Sequence, residues 1–145
     1  MSQPPQPHSR RNYRHFLPIS TRWMDNDAYS QVNNVLYYGF FDTVVNEYLV
    51  RNGALDIRQG EVIGLVVETH CNFFSPIAFP ETVNAGLRVA HIGSSSVRYE
   101  IGIFSGEQDA ASAQGHLLQV YVTRAERRPV PLPAALRTAL ERIST

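Results

Sequence analysis

The sequence predicts an α+β domain in which one antiparallel sheet of about five strands curls around a single long helix. The hydrophobic pattern follows the order strand, helix, four strands, short helix. The long helix is unusually apolar, and no second helical layer is available to bury it, so the sheet has to cover it. The chain has 145 residues, which is enough for one domain with its own core.

The first predicted strand covers residues 15–23. Apolar and β-branched side chains alternate with their neighbours along it, at Leu17, Ile19, Thr21 and Trp23. The preceding residues 1–14 are rich in proline, glutamine and arginine and lack an apolar core. We therefore expect a flexible tail over residues 1–14 and a single domain over residues 15–145.

Residues 35–50 have the spacing of an amphipathic helix. The predicted buried stripe consists of Tyr37, Phe41, Val44, Val45 and Tyr48. Asn33 or Asn34 suits the N-cap, and Gly53 suits the C-terminal stop. Because the first two turns are apolar nearly all round, we expect the sheet to wrap this helix.

Four more strands are predicted after the helix, at residues 61–73, 81–91, 97–104 and 116–123. A proline-rich stretch then precedes a short C-terminal helix over residues 134–143. The apolar run at residues 62–67 would pair with a second copy of the chain if it lay at a sheet edge. The sequence therefore predicts a homodimer, which leaves open further pairing into a tetramer.

Composition restricts the class of function. Acidic and basic residues number thirteen each, so bulk charge does not suggest a nucleic-acid partner. The chain has no lysine, which excludes Schiff-base chemistry. One cysteine fits a reducing compartment, and no apolar run has membrane-spanning length. We therefore expect a cytoplasmic protein without membrane attachment. No metal-ligand spacing is present, so we expect neither a metal nor a cofactor. No Gly-x-Ser-x-Gly motif is present either, which argues against a serine hydrolase.

The most informative stretch is residues 23–38, where Asp25 and Asp27 lie in a polar loop before the long helix. Free backbone N–H groups make a helix start electropositive. Attack on a carbonyl requires a carboxylate beside such an oxyanion site. The simpler interpretation is that Asp27 caps a turn. Asp25 is expected to be structural, bonding loop amides or Arg22.

Two segments of this stretch resemble the hotdog-fold acyl-CoA thioesterases of the 4-hydroxybenzoyl-CoA thioesterase-like family. They are Arg-Trp-Met-Asp-Asn-Asp-Ala at residues 22–28 and Val-Asn-Asn-Val-Leu-Tyr-Tyr at residues 32–38. Weaker similarities follow in order at residues 92–100, 120–122 and 128–133. The resemblance implies the hotdog fold and hydrolysis of acyl-CoA to free acid and CoA.

The resemblance also implies roles for individual residues. Asp27 is the second acid of the family's Asp-x-Asp motif and would act as nucleophile or general base, while the backbone N–H near Asn34 would polarise the thioester carbonyl. The acyl group would lie between helix and sheet or between two subunits, against Tyr37, Tyr38, Phe41 and Phe73. The CoA part would contact Ser94, Ser95, Ser96, Arg127 and Arg128, with Arg88, Arg98 and Arg124 as further phosphate-binding candidates.

Several alternatives stay open. Other hotdog enzymes carry the catalytic carboxylate on the central helix, where Asp42 and Glu47 stand here. Residues 30–31 are Ser-Gln where the family often has Gly-His, and Thr123 replaces a frequent Asp. Gln31 keeps open the alternative that the domain binds acyl-CoA or an acyl-carrier protein without hydrolysing it, although the retained Asp-x-Asp loop argues against that alternative. A dehydratase or hydratase is disfavoured, since no pair of histidine and acid stands on the helix.

Overall fold

The computed structural model describes residues 4–145 and shows a five-stranded antiparallel sheet packed against one long helix. The elements are β1 (His15–Ser20), α1 (Val35–Arg51), β2 (Val62–Phe73), β3 (Thr82–Ile92), β4 (Ser96–Ser105), β5 (Ala113–Thr123) and α2 (Ala134–Glu141). Across the sheet the strands follow the order β1-β3-β4-β5-β2, and every neighbouring pair is antiparallel. The predicted α+β architecture is confirmed.

The face of the sheet toward α1, which we call the inner face, is apolar because side chains alternate along each strand. Leu87 of β3, Ile101 of β4 and Tyr121 of β5 have no exposed surface. All five residues of the predicted helix stripe are buried against this face. The Tyr48 hydroxyl donates to the carbonyl of Ala139 at 2.6 Å, which ties α1 to α2.

Several predicted boundaries differ from the structure. The first strand ends at Ser20 instead of residue 23, and Trp23–Asp25 forms a turn of 3-10 helix that leaves Trp23 77% exposed. The cause is Asp25, whose carboxylate accepts from the Arg22 backbone N–H at 2.8 Å and draws the chain back on itself. The last helix ends at Glu141 instead of residue 143.

Helix α1 is not wrapped on all sides, contrary to the prediction. One face lies open within a single chain, at Val35, Tyr38, Gly39, Asp42 and Thr43. Asn33 caps the first turn, since its Oδ1 accepts from the Val35 N–H at 3.0 Å. At the other end Gly53 has a φ of +64°, a conformation that glycine adopts without strain, and it ends the helix as predicted.

The prediction of a flexible tail over residues 1–14 is wrong from residue 8 onward. Residues 8–13, which we call the N-terminal strap, cross the outer face of the sheet. The His8 N–H donates to Gln114 Oε1 at 2.6 Å, and Ser9 forms an antiparallel bridge with Ala110. The strap was missed because its composition shows no periodic pattern. Residues 1–3 of the predicted tail lie outside the described residues.

Tyr13 anchors the strap and is only 5% exposed. Its ring lies over Gly86 and Gly102, and a Cβ added at Gly102 would come within 2.5 Å of that ring. Tyr13 also packs edge-on against Phe104, with ring centroids 5.9 Å apart. These contacts form a second, smaller hydrophobic cluster on the outer face.

Strand β2 forms one edge of the sheet. Its only strand neighbour within residues 4–145 is β5, and the register shifts between Val66 and Glu68. Val66 and Val67 are 45% and 58% exposed. The apolar run therefore lies at an edge, which is the condition on which the homodimer prediction depends.

Candidate active site

Asp27 lies in a tight turn between the 3-10 segment and α1. Its Oδ1 accepts from the backbone N–H of Tyr29 at 2.8 Å and of Gln31 at 3.4 Å, and Ser30 closes the turn with a φ of +62°. Within residues 4–145 no group bonds the other carboxylate oxygen, Oδ2. One oxygen of Asp27 thus fixes the turn while the second stays free.

The loop is held directly against the start of α1. The Asn33 N–H donates to the carbonyl of Asp25 at 3.0 Å, and the Val32 N–H donates to that of Ile77 at 2.7 Å. Asp25 is 4% exposed and forms an ion pair with Arg22 at 2.9 Å. Asp25 therefore has the structural role that the sequence predicts for it.

The first residue before α1 offers an unused donor. In the part of the chain that the structure describes, the backbone N–H of Asn34 has no acceptor, whereas those of Asn33 and Val35 do. Asn34 lines an open cavity of about 210 Å³ at this end of the sheet. An unpaired N–H at a helix start can donate a hydrogen bond to an oxygen on which negative charge develops.

Two of the predicted acyl-binding residues line the same cavity. Tyr37 and Phe73 meet edge to face, with ring centroids 5.0 Å apart. Burial raises the pKa of Tyr37 to about 12. Tyr38 instead lies on the open face of α1, and Phe41 is fully buried in the core. Of the four predicted acyl-binding residues, Tyr37 and Phe73 therefore line the cavity beside Asn34 within one chain.

Four lining residues were missed by sequence reasoning: Gln31, Phe74, Ser75 and Pro76. Gln31 follows the Asp27 turn, and its side chain takes the position at which the family often has histidine. The Ser-Pro sequence after β2 indicates a turn at Phe74, Ser75 and Pro76. It does not indicate that the turn faces the start of α1.

The residues predicted to hold CoA lie at the opposite end of β2. The carbonyl of Ser95 accepts from the Tyr121 N–H, and that of Ser94 accepts from the Leu132 N–H. The turn between β3 and β4 therefore packs against the end of β5. Arg128 lines a cavity of about 600 Å³ beside the start of β2. Twelve residues of β2 separate this cavity from Phe73, a length of about 40 Å. One chain therefore does not bring Arg128 close to Asp27.

The remaining CoA candidates have structural partners. Ser96 accepts a 2.7 Å bond from the Gly93 N–H. Arg127 is exposed with a φ of +60°, and Arg128 pairs with Glu126 at 3.4 Å. Arg124 donates to the carbonyls of Gly60 and Ile57, bracing the loop before β2.

The alternative carboxylates on α1 lie away from the Asn34 cavity. Burial disfavours the charged form of Glu47, but hydrogen bonds from His15 and Arg51 outweigh that cost and lower its pKa. Both oxygens of Glu47 are thereby occupied. Asp42 lies on the open face of α1, where desolvation raises its pKa. Asp27 does not itself line the Asn34 cavity, but its Oδ1 accepts from the N–H of Gln31, which does.

Residues 4–145 contain no helix that is long and apolar enough to cross a membrane. The same residues hold no group of three or more histidine, cysteine or acidic side chains able to bind a metal ion. Cys71 packs against the inner core, while its neighbour His70 stacks on His116 at the outer face.

A model of the thioesterase-like superfamily matches residues 21–140, and the chain belongs to that family. No curated protein matches the sequence.

Solved structures agree with this fold. The chain is 53% identical to the PA5185 protein from Pseudomonas aeruginosa strain PAO1, with a TM-score of 0.94 over 97% of this chain and 98% of that one. A 1,4-dihydroxy-2-naphthoyl-CoA thioesterase from Synechocystis has 17% identity and a TM-score of 0.78 over 86% and 93% of the two chains. A DHNA-CoA thioesterase from Staphylococcus aureus has 19% identity and a TM-score of 0.76 over 88% of this chain and 86% of that one. The last two comparisons show the hotdog fold.

Proposed function

We propose that this protein hydrolyses acyl-CoA thioesters to a free acid and CoA. One observation carries the proposal: within residues 4–145, Asn34, whose backbone N–H is unpaired, lines a cavity together with Gln31, and Gln31 is bonded to Asp27, whose Oδ2 is free. The family and the names of its structural relatives support the same chemistry. We also propose a cytoplasmic location, which the free Cys71 supports.

The reaction requires a donor at the carbonyl oxygen and a carboxylate at the carbonyl carbon. The Asn34 N–H would stabilise the oxyanion, a contribution typically worth about 10²–10³ in rate. Asp27 would attack the carbon as nucleophile or take a proton from the attacking water. The bonds from Tyr29 and Gln31 to Oδ1 fix the orientation of the carboxylate. Tyr37 and Phe73 would contact the acyl group.

We further propose that a second copy completes the site. Antiparallel pairing of two β2 edges would place the start of one β2 beside the end of the other. The cavity at Arg128 of one copy would then approach Phe73 and Asn34 of its partner. The exposed Val66 and Val67 support this pairing. Such an arrangement would bring together the predicted acyl-binding and CoA-binding residues, which lie apart in one chain.

The decisive experiment compares Asp27→Asn with Asp56→Asn in a thiol-release assay. Asp56 is a matched control, because its Oδ1 also caps a turn, accepting from Arg58 and Gln59 at 3.1 Å each. We expect Asp27→Asn to lower kcat by about 10³-fold, with acyl-CoA affinity retained, and Asp56→Asn to keep full activity. Glu47→Gln is measured alongside. Full turnover by Asp27→Asn, or its loss only in Glu47→Gln, would reject the assignment.

Calorimetry separates hydrolysis from simple binding. Tight acyl-CoA binding by the unmodified protein without thiol release would favour a non-catalytic domain that binds acyl-CoA or an acyl-carrier protein.

Sedimentation of the Val67→Lys variant tests whether a second copy pairs at β2, since a charge at the paired edge should leave a monomer. A monomer with full activity would contradict the shared site.

A further inference from the structure

A second polar cavity lies on the outer face of the sheet, on the side away from α1. Its volume is about 320 Å³, near the lower end of the range for ligand sites. The sheet separates it from the inner core and from the Asn34 cavity. It is lined by side chains of β2, β4 and β5 and by the N-terminal strap, at His8, Tyr13, His70, Arg98, Glu100 and His116.

Two histidines form one wall of this cavity. His70 of β2 and His116 of β5 are direct cross-strand partners, and their rings stack with centroids 5.6 Å apart and planes at 20°. The Nε2 of His116 lies 2.7 Å from a Glu68 carboxylate oxygen, and that of His70 lies 3.2 Å from Asn72 Oδ1. Neither Nδ1 has a hydrogen-bond partner among residues 4–145. Each ring thus keeps one nitrogen for a ligand.

Arg98 forms the opposite wall, and it shares its carboxylate partner with a second arginine. Glu100 accepts from Arg98 Nε at 3.2 Å and from Arg88 at 2.7 Å, so one carboxylate serves two guanidinium groups. Burial opposes the charge on Glu100, but bonds from Arg88 and then Arg98 outweigh it and lower the pKa of the carboxyl. Within the described residues, the terminal nitrogens of Arg98 have no acceptor. Among Arg88, Arg98 and Glu100 one positive charge is left over, while the Glu68 carboxylate lies on the far side of His116, at its Nε2.

The N-terminal strap closes the cavity. His8 Nδ1 lies 2.9 Å from the Tyr13 hydroxyl, and Gln114 is held by His8 and by the Gln6 carbonyl. Desolvation, and then the charge of Arg88, lowers the pKa of His8. His8 is therefore a neutral wall of the cavity. Its charge does not add to that of Arg98.

We propose that this cavity binds a small free oxyanion of the phosphate type, held by the Arg98 guanidinium and by the rings of His70 and His116. The guanidinium fork matches two oxygens of such an anion. Protonated histidines would donate their free Nδ1–H groups, and the anion would offset the repulsion between two charged stacked rings. The volume accommodates such an ion with a few waters.

Binding should take up protons. The groups that face the site are His8 and Tyr13 from the strap, Glu68 and His70 from β2, Arg88 from β3, Arg98 and Glu100 from β4, and His116 from β5. The Nε2 of His70 and of His116 faces an oxygen acceptor and so carries its hydrogen, and Nδ1 can then donate only if the ring takes up a proton. Anion affinity, measured from about pH 6 to pH 8, should therefore fall as pH rises.

Sulfate is the first probe, because its charge is constant over this pH range, and inorganic phosphate is the second. Histidine ring signals in NMR give the site, with His15 and His91 as internal controls. We expect sulfate to shift His70 and His116 and to leave the two controls unchanged. Arg98→Gln should weaken binding about tenfold or more, while Arg58→Gln, a loop arginine, should not. His70→Gln provides a second test if Arg98→Gln fails to fold.

Three results would overturn the proposal. They are equal sulfate shifts in all histidines, an affinity independent of pH, and full affinity in Arg98→Gln or His70→Gln. AMP, a phosphate ester, tests whether the site requires a free ion. If the protein bound AMP as tightly as inorganic phosphate, that requirement would be contradicted. Asp27→Asn should bind sulfate normally, so the outcome does not depend on the proposed thioesterase activity.

Discussion

The two faces of the sheet are covered in different ways. The inner face packs on α1 and α2 through mostly apolar residues such as Leu87 and Ile101, and its buried tyrosine hydroxyls, such as those of Tyr99 and Tyr121, are hydrogen-bonded. The outer face carries charged and histidine side chains, and a short non-helical strap anchored by Tyr13 covers part of it. Strand alternation decides which side chains point to each face, but only tertiary contacts decide what covers them. The following predictions test how far stability depends on each face.

The largest expected effect belongs to the inner face. Phe41 has no exposed surface and lies at the centre of α1. Phe41→Ala should lower the free energy of unfolding by about 3–5 kcal/mol, because it removes buried surface and leaves a cavity. Urea denaturation measures the change. A loss below about 1 kcal/mol would show that the helix can repack.

The anchor of the outer face comes next. Tyr13→Ala should cost about 2–3 kcal/mol, less than Phe41→Ala, because the outer cluster is smaller and borders solvent. Hydrogen exchange should show the strap opening at residues 8–13 while the inner strands stay protected. Unchanged exchange in the strap would contradict the anchoring role of Tyr13.

A substitution at Gly102 tests the same contact from the other side. A Cβ at this position would meet the Tyr13 ring at 2.5 Å, so Gly102→Ala should cost about 1–3 kcal/mol. In the Tyr13→Ala background this cost should largely disappear, since the clashing ring is gone. Chemical denaturation of the four proteins completes the double-mutant cycle, and strict additivity would argue against the contact.

The smallest effect is electrostatic. The pKa of Glu100 is lowered below its ordinary value of 4.5, so its contribution to stability is present above that pH and is lost as pH falls through the folded-state value. Glu100→Gln should therefore destabilise the protein at pH 7 and have a diminishing effect below pH 4.5. Urea midpoints across this range measure it. A constant difference at every pH would contradict the charge-dependent role.

The sequence was sufficient to predict which residues pack on the inner face of the sheet. It was not sufficient to predict what covers the outer face. Periods of two and 3.6 residues located the strands, the buried stripe of α1 and the opposite orientations of His70 and Cys71. The strap has no such period. It is held by contacts of Tyr13 with Gly86 and Gly102, far away in the chain, so local pattern could not reveal it.

The candidate site divides in the same manner. Asp27 and Asn34 are close in sequence, and turn and capping chemistry fix the local chain around each of them. Phe73 reaches the Asn34 cavity through tertiary structure, which alternation along one strand does not reveal. Arg128 lies at the far end of β2, and only the proposed second chain would bring it near Asp27. Sequence pattern within one chain carries no information on that geometry.

The strap also matters for how the protein is produced. Its composition invites an experimenter to trim the first fourteen residues as a low-complexity leader. That deletion would remove the aromatic ring that seals Phe104 and Ala111, and the newly wet apolar surface would favour self-association in storage. Expression vectors should retain the chain from at least Gln6, whose carbonyl accepts from Gln114 at 2.9 Å, and should carry any purification tag at the other terminus.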